Sequence, residues 1–303
     1  MKIKKFHDVK RCYLCGKSRF KDLGQSKCPI LTPNNHLVKC ENCGLVFINP
    51  MPDEKELSKI YSTEYRLGYQ SWVGKILNFY NRTVFAADAK FIKRYIKRGK
   101  IIDIGYGSGE MLSALGPGWD KYGFDVYSKT ADRIEIEKRL GIKTLESLGG
   151  LKDNSFDLVI LRNVIEHTTE FRSLLGDSYR LLRPGGLLFV RTPNIDSLDF
   201  ELFGTSWYMT YMGGHIVFFN IKTLKKVAGE LKFHSLTIQP TMFSPVLSFQ
   251  RNMALRYSIS NNLFLFLLIP ISVFYSLISL FFKNGNDILA VFRKVPLAGK
   301  VTA

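Results

Sequence analysis

The stretch Ile101–Glu110 decides the fold, and its sequence is IIDIGYGSGE. An apolar run enters a glycine-rich turn, and such a turn lets the main chain approach a ligand at the carboxyl end of a strand. The spacing is Gly-x-Gly-x-Gly, whereas dinucleotide-binding turns use Gly-x-Gly-x-x-Gly. Glu110 would begin the following helix, where its charge would repel a diphosphate. The stretch therefore favours a ligand without phosphate over NAD or FAD.

From Lys100 onward, short apolar runs alternate with amphipathic stretches. The runs predicted to be strands are Ile101–Ile104, Lys121–Val126, Ile142–Leu145, Asp157–Leu161, Leu187–Thr192, Ser235–Gln239 and Ile288–Phe292. The stretches predicted to be helices are Glu110–Leu115, Lys129–Leu140, Phe171–Leu182 and Ile221–Leu231. Because strands that alternate with helices form parallel β-α-β units, the pattern predicts an α/β fold with a doubly wound, Rossmann-like sheet of seven strands.

Two acidic residues strengthen the case for a ligand at this edge of the sheet. Asp103 lies inside the first predicted strand, and Asp125 closes the second, about 20 residues beyond the glycine turn. A carboxylate in the position of Asp125 suits hydrogen bonding to both hydroxyls of a ribose. The glycines alone could be no more than a tight strand-to-helix turn, but the two acids weaken that interpretation.

These residues resemble those of the class I S-adenosylmethionine-dependent methyltransferases. The resemblance continues in order through Asn154–Ile160, Asn163–His167, Leu181–Gly186, Thr192–Asn194, Trp207 and Gly214–Phe219. It covers roughly residues 85–295. It implies S-adenosyl-L-methionine as the cofactor and a last strand inserted antiparallel between strands five and six.

The resemblance also implies which residues surround the cofactor, with Asp125 holding its ribose. The predicted cofactor-binding residues are Asp103, Gly105, Tyr106, Gly107, Gly109, Asp125, Arg162 and Asn163. Tyr106 departs from the family, which often has a small residue or cysteine there.

Four of the five cysteines form two Cys-x-x-Cys pairs separated by 24 residues, and a glycine follows each pair. Two such turns present four sulfurs, and a closed shell of four thiolates is typical of structural zinc. The predicted Zn²⁺ ligands are Cys12, Cys15, Cys40 and Cys43. Paired cysteines of this kind and a basic start without an apolar signal run make a cytoplasmic location the default expectation.

A zinc ribbon before a methyltransferase domain resembles one bacterial group, the zinc-ribbon methyltransferases of sugar, surface-glycan and secondary-metabolite pathways. In the sugar C-methyltransferase branch, a Tyr-x-Glu-His stretch supplies acid–base groups. Here Met212 and Gly214 stand in place of the Tyr and the Glu, so only His215 carries over. O-methylation of a hydroxyl is therefore expected rather than C-methylation.

Two histidines are the predicted catalytic residues. His167 and His215 lie just past the expected carboxyl ends of strands four and five, where the acceptor should bind. Histidine is the usual general base for removing a hydroxyl proton near neutral pH. A capping role for His167 and a loop-strut role for His215 are the structural alternatives.

Charge is concentrated at the two ends of the chain. Lys and Arg number 43 and Asp and Glu number 26, which gives a net charge of +17. Residues 1–100 hold 21 basic and 8 acidic side chains, and residues 251–303 hold 6 and 1. Cationic ends suit phosphate-bearing substrates or anionic lipid.

The segment Leu263–Phe282 is 20 residues without a charge. It could span a bilayer, lie in one leaflet, or pack inside the protein or a dimer. If it crossed the bilayer once, the last predicted strand would lie on the far side of the membrane, away from the sheet. Pro270 and the flanking Arg251, Arg256 and Lys283 favour an element that enters one leaflet and returns.

The predicted organisation is a zinc ribbon (1–52), lead-in helices (53–99), a methyltransferase core (100–258), an apolar membrane-associated insertion (259–284), and the last strand with a tail (285–303). The expected location is therefore cytoplasmic and peripheral on the inner face of the cell membrane. A homodimer is compatible with the sequence.

Three functions compete. The first is an enzyme that methylates a hydroxyl of a small-molecule or lipid-linked sugar at the membrane, with a quinone-type acceptor as a variant. The second is an RNA methyltransferase that grips RNA with the ribbon and the basic N-terminal third. It is disfavoured because Leu161–Val164 lacks the Asn/Asp-Pro-Pro-aromatic pattern of nucleobase amino methylation. The third, a non-catalytic scaffold, is disfavoured by the intact set of glycines and acids.

Overall fold

The computed structural model describes residues 5–29, 31–53, 57, 72–127, 130–212, 214–242, 245–258, 268–281 and 284–295. Its strands are β1 (Phe6–His7), β2 (Phe20–Gln25), β3 (His36–Cys40), β4 (Val46–Asn49), β5 (Met51–Pro52), β6 (Gly99–Ile104), β7 (Trp119–Phe124), β8 (Lys143–Leu145), β9 (Phe156–Arg162), β10 (Leu182–Pro193), β11 (Val217–Phe218), β12 (Phe233–Thr241) and β13 (Asp287–Lys294). Its helices are α1 (Trp72–Ile92), α2 (Glu110–Ala114), α3 (Thr130–Leu140), α4 (Phe171–Leu181), α5 (Leu198–Phe203), α6 (Tyr208–Tyr211), α7 (Ile221–Glu230), α8 (Pro245–Tyr257) and α9 (Ile269–Phe281), with single 3-10 turns at Ile165–His167 and Gly204–Ser206.

The central sheet has seven strands in the order β12-β13-β10-β9-β6-β7-β8. Strands β6 to β10 run parallel, and β13 lies antiparallel between β10 and β12. The strand order reverses between β6 and β9, and ligands of such sheets bind in the crevice at this switch point. The predicted doubly wound sheet with its inserted last strand is confirmed.

The central strands are apolar along their length because helices cover both of their faces. Ile101 and Ile102 of β6, like Val159 and Ile160 of β9, are fully buried. Two hydrophobic clusters result, one on each side of the sheet. Gly109 brings α2 close to the next helix, since a side chain there would place its first carbon 2.7 Å from Leu140.

The cysteine-bearing segment forms a second sheet in the order β11-β4-β3-β2. Strand β11 comes from the middle of the chain and pairs antiparallel with β4, with Val217 opposite Phe47. Phe47 is fully buried and meets the rings of Tyr13 and Phe20 edge-on, at 5.6 and 5.2 Å between ring centroids. The N-terminal segment is therefore joined to the methyltransferase core by backbone pairing and by shared apolar packing.

Part of the C-terminal apolar segment is the helix α9, which packs on α8. On one face Ser272 and Tyr275 are buried, and the Tyr275 hydroxyl donates a hydrogen bond to Asp199. On the other face Phe274 and Leu277 are 65% and 61% exposed. Pro270 stands at the beginning of this helix, where its missing N–H costs no helical hydrogen bond.

No helix within the described ranges is long and apolar enough to cross a membrane. The helix α9 has 13 residues. Residues 259–267 and 282–283 of the predicted insertion lie outside the described residues, so entry of the insertion into a leaflet stays a prediction.

Candidate active site

The glycine turn after β6 has the backbone shape that glycine alone adopts easily. Gly105, Gly107 and Gly109 have φ values of 82°, 53° and 81°. The Gly105 N–H donates to the carbonyl of Phe124 at 2.6 Å, which ties the turn to the end of β7. A side chain at Gly105 would place its first carbon 2.6 Å from Val164. The turn therefore presses against the segment that follows β9.

Asp125 lies directly after β7 and faces this turn. One of its carboxylate oxygens accepts from the Gly107 N–H at 3.0 Å, and the other accepts from the Tyr127 N–H at 2.9 Å. The carboxylate is half-buried and is held by main-chain donors. Each oxygen keeps a second lone pair, so the group suits a pair of ribose hydroxyls.

Asp103 supplies a second acceptor beneath the turn. Its side chain is 2% exposed, and its Oδ1 atom has no hydrogen-bond partner in the described structure. Burial, opposed by Arg162 and reinforced by Asp125 and Glu110, raises the pKa of this carboxyl to about 7. An unpartnered buried acceptor suits an amino group such as that of S-adenosylmethionine. Asp103, the glycines and Asp125 therefore fit the predicted cofactor.

For three other predicted cofactor residues the structure shows packing, backbone or ion-pair contacts, and their contact with the cofactor stays a prediction. Tyr106 is buried against the backbone of β7, and a side chain at Gly123 would place its first carbon 2.7 Å from the Tyr106 ring. Asn163 takes a left-handed conformation with φ 54° and donates its N–H to the carbonyl of Arg191 at 2.8 Å. The Tyr106 ring therefore packs between the glycine turn and β7.

The third of them, Arg162, belongs to a buried ion-pair network. Its Nε atom contacts Asp88 at 3.0 Å, and its guanidinium lies over the Phe85 ring. Arg191 joins the same Asp88 carboxylate at 2.5 Å and Asp287 at 2.7 Å. These three partners come from α1, β10 and β13, so sequence spacing gave no signal for the network. It ties the lead-in helix to three central strands.

The two predicted catalytic histidines lie side by side. His167 ends the 3-10 turn after β9, His215 lies in the loop before β11, and their ring centroids are 4.7 Å apart. The Nδ1 atom of His167 is 3.0 Å from the carbonyl of Gly214, and that of His215 is 2.9 Å from the carbonyl of Met209. Since a carbonyl only accepts, both Nδ1 atoms carry the proton and both Nε2 atoms carry a lone pair.

Burial keeps both rings neutral. It lowers the pKa of His167 to about 4, and it lowers the pKa of His215 well below its usual range, with the neighbouring His167 adding to the effect. The two histidines therefore act as neutral lone-pair donors near pH 7.

Glu166 joins this pair and was not among the predicted site residues. It is fully buried, its Oε2 atom accepts from the Thr192 hydroxyl at 2.9 Å, and its Oε1 atom has no hydrogen-bond partner in the described structure. Its Oε1 atom lies 4.0 Å from the Nε2 atom of His167. Burial raises the pKa of Glu166 to about 8. An acidic residue next to His167 was the available sequence signal, but its burial depends on the sheet.

Backbone hydrogen bonds run from the N-terminal segment into this cluster. The Ile48 N–H of β4 donates to the carbonyl of Ile216 at 3.0 Å, and the Ile216 N–H donates to the carbonyl of Glu166 at 2.9 Å. The residue before Ile216 is His215. The cysteine-bearing sheet therefore holds the loop that carries one of the two histidines.

The four predicted zinc ligands come together at the other end of that sheet. The Sγ atoms of Cys12 and Cys43 are 3.6 Å apart, and those of Cys15 and Cys40 are 3.5 Å apart. Four thiolates around a tetrahedral zinc would be separated by about 3.8 Å. All four sulfurs lie within 4.8 Å of one another. The donor set and its spacing fit a structural zinc ion.

The sheet order, the glycine turn and the acid after β7 define a methyltransferase fold, and solved structures share it. The 1,6-didemethyltoxoflavin-N1-methyltransferase of Burkholderia thailandensis, solved with 1,6-didemethyltoxoflavin and S-adenosylhomocysteine, matches with a TM-score of 0.53 at 12% identity, over 88% of this chain and 97% of that one. A SAM-dependent methyltransferase of Thermotoga maritima matches with a TM-score of 0.51 at 17% identity, over 78% and 99%.

The model of a methyltransferase-domain family matches residues 79–236, just over half of the chain, and the protein belongs to this family. It is an S-adenosylmethionine-dependent methyltransferase, as the sequence resemblance implies.

Relatives in sequence agree with this class. The mitochondrial ubiquinone biosynthesis O-methyltransferase of Mus musculus is 30% identical over 115 residues, which cover 34% of this chain and only 31% of the mouse protein. An uncharacterized protein of Methanocaldococcus jannaschii is 22% identical over 186 residues, 60% of this chain and 85% of that one.

Proposed function

We propose that this enzyme transfers a methyl group to a hydroxyl oxygen of a sugar or lipid-linked glycan. The observation that carries the proposal is the pair of the half-buried His167 and the buried His215, whose ring centroids are 4.7 Å apart at the carboxyl edge of the sheet. An oxygen acceptor needs help in losing its proton, and histidine is suited to that task. The likeness to the mouse O-methyltransferase supports oxygen as the methylated atom.

The residues of the chain divide the work. S-adenosylmethionine, when bound, supplies an electrophilic methyl group on sulfur, and its transfer needs alignment and a dry site more than acid–base chemistry. Asp103 and Asp125 orient the amino and ribose ends of that donor, and the glycine turn gives it room. His167 and His215 present their Nε2 lone pairs at the acceptor side, where they assist removal of the hydroxyl proton as the oxygen attacks the methyl carbon.

We also propose that Cys12, Cys15, Cys40 and Cys43 hold a structural Zn²⁺. The Sγ separations of 3.5 and 3.6 Å support this. The hydrogen bond from Cys43 lowers the pKa of Cys12 to about 5, so the cluster favours at least one thiolate before any cation binds. The ion would fix the sheet from which Ile48 reaches the His215 loop.

Membrane association is the second part of the proposal. The exposed face of α9 carries Ile271, Phe274 and Leu277, each more than half exposed, in a protein of net charge +17. Apolar side chains beside cationic segments suit the surface of an anionic bilayer. A lipid-linked acceptor would then be presented to the enzyme at this surface.

The function is tested by incubating the purified protein with methyl-labelled S-adenosylmethionine and separate acceptors: a nucleotide sugar, a polyprenyl-linked sugar, a quinol precursor and RNA. We expect label on a sugar hydroxyl and a large loss of label in the Asp125→Ala variant. His234→Gln, which changes an exposed histidine on β12, should keep full activity. Label on the quinol would favour the quinone-type function, which the similarity to ubiquinone O-methyltransferases supports. Label on RNA would contradict the proposal.

Membrane association is tested by co-sedimentation with vesicles that contain phosphatidylglycerol. We expect binding by the wild type and loss of binding by a Phe274→Glu, Leu277→Glu double variant. Ile134→Glu introduces one glutamate at a half-exposed apolar residue of α3 and should leave binding unchanged. Equal binding by all three proteins would remove α9 as the contact surface.

A further inference from the structure

Glu166, His167 and His215 form a compact ligand set at the acceptor side of the site. One nitrogen of each ring and one oxygen of the carboxylate lie within 4.8 Å of one another. Glu166 and His167 are fixed by the 3-10 turn after β9, and His215 is fixed by the loop that Ile48 holds. Two separate constraints, the turn and the loop, therefore bring the three donor atoms together.

The two rings are oriented as metal-ligating histidines usually are. Each donates its Nδ1–H to a main-chain carbonyl, Gly214 for His167 and Met209 for His215. A second hydrogen bond of this kind fixes the tautomer and directs the Nε2 lone pair toward a cation.

The carboxylate supplies an independent observation. Glu166 is fully buried, and its Oε1 atom has no hydrogen-bond partner within the described residues. A buried oxygen without a partner is costly, and a bound cation is one of the few groups that would satisfy it. Thr192 orients the other oxygen by donating to it at 2.9 Å.

We propose that Glu166, His167 and His215 bind one divalent transition-metal cation, which in turn binds the acceptor. Two imidazoles and one carboxylate on one side of an ion leave further positions open, and this ligand set suits cations such as Mn²⁺, Fe²⁺ or Zn²⁺. Two adjacent open coordination positions of the cation are filled best by two oxygens on neighbouring carbons of the acceptor. The acceptor class is therefore a vicinal diol, as in a sugar ring, or a catechol.

This inference rests on the proposed O-methylation and gives it a chemical route. The cation lowers the pKa of a bound hydroxyl, whose proton passes to solvent. The resulting oxygen anion forms the new O–CH₃ bond while the bond from the methyl carbon to sulfur breaks. The positive charge of the sulfonium and the negative charge of the oxygen cancel, so an ether and a neutral thioether remain.

The test measures cation binding directly. The zinc content of the protein is first measured and kept constant. Mn²⁺ is then titrated into the protein while the electron paramagnetic resonance signal of free Mn²⁺ is followed. We expect one Mn²⁺ site per wild-type chain and at least tenfold weaker binding by Glu166→Gln and by His215→Gln. His234→Gln should bind Mn²⁺ as the wild type does. Retained thermal unfolding and S-adenosylhomocysteine binding show that the variants are folded.

Absence of a Mn²⁺ site in the wild type, or unchanged affinity in both Glu166→Gln and His215→Gln, would overturn the inference. Full methyl transfer by chelator-treated protein that keeps its ribbon zinc would also overturn it, and would leave the proposed function standing. Mn²⁺ binding by a protein that methylates no hydroxyl acceptor would support the cation site and would contradict the proposed function.

Discussion

The cofactor side and the acceptor side of the site are built in different ways. The cofactor side is one continuous stretch, Ile101–Glu110, with Asp125 added, and its shape comes from glycine backbone conformations. The acceptor side joins Glu166 and His167 to His215, which is 48 positions later in the sequence. It also depends on the cysteine-bearing sheet through Ile48. The cofactor half therefore depends mainly on a local motif, whereas the acceptor half depends on contacts between distant parts of the chain.

The largest expected effect comes from the acceptor side alone. Replacing His215 with Gln removes the ring that faces the acceptor, and methyl transfer should fall by about 10²–10⁴-fold in kcat. Calorimetry should give an unchanged affinity for S-adenosylhomocysteine, because the glycine turn is untouched. A parallel loss of cofactor affinity would show that the two halves are not separable.

The next effect comes from the cofactor side. A side chain at Gly105 must adopt φ 82° and lie 2.6 Å from Val164, so Gly105→Ala should distort the turn. We expect about 100-fold weaker S-adenosylhomocysteine binding, a cost of about 3 kcal/mol. Gly116→Ala is the matched control, because Gly116 has φ 71° but open space around it. An equal loss in that control would assign the effect to something other than the Val164 contact.

The ribbon should affect only one of the two sides. The Cys43→Ser variant removes one thiolate of the cluster, which should release zinc and loosen the Ile48 contact with the His215 loop. We expect about a tenfold drop in kcat with cofactor affinity unchanged, since hydrogen bonds that position a catalytic group are worth about 1–1.5 kcal/mol. Cys28→Ser, which alters a buried cysteine outside the cluster, should retain zinc and activity. Lost cofactor binding in Cys43→Ser would contradict a role confined to the acceptor side.

The smallest effect is a pH dependence at Asp103. Its pKa is raised from 3.8 to about 7 by burial, so the folded protein binds a proton there that the unfolded chain has lost. This contribution to the free energy of unfolding therefore decreases as pH rises from about 4 to about 7 and is constant above that. Asp103→Asn lacks this titration. Denaturant unfolding at several pH values should show the wild type losing stability relative to the variant over that window.

If the difference in the free energy of unfolding between the wild type and Asp103→Asn did not change across pH 4–7, the raised pKa of Asp103 would be contradicted. The same comparison made in the presence of S-adenosylhomocysteine would show whether an amino group takes up the unpartnered Oδ1 atom, because the pH window would then move downward.

The sequence predicted the elements whose pattern is local. The alternation of strands and helices and the clustering of four cysteines agree with it because apolar runs, glycines and Cys-x-x-Cys turns act within a few residues. The insertion of β13 was implied by the family resemblance and not by a local pattern. The place of the histidines was also predictable, since the carboxyl ends of parallel strands meet at one edge.

What the sequence did not predict depends on contacts between distant residues. The pairing of β11 with β4 involves two short strands with no pattern that links them. Glu166 is important because it is buried, and the network of Asp88, Arg191 and Asp287 exists because α1, β10 and β13 converge. The ring of Tyr106 packs on Gly123, which only the alignment of β6 with β7 determines.

The most direct test of the cofactor side is isothermal titration calorimetry of the wild-type protein with S-adenosylhomocysteine, and in parallel with NAD and FAD. We expect one S-adenosylhomocysteine site per chain and no heat from either dinucleotide, since Glu110 and the Gly-x-Gly-x-Gly turn disfavour a diphosphate. Binding of a dinucleotide together with indifference to S-adenosylhomocysteine would contradict the account.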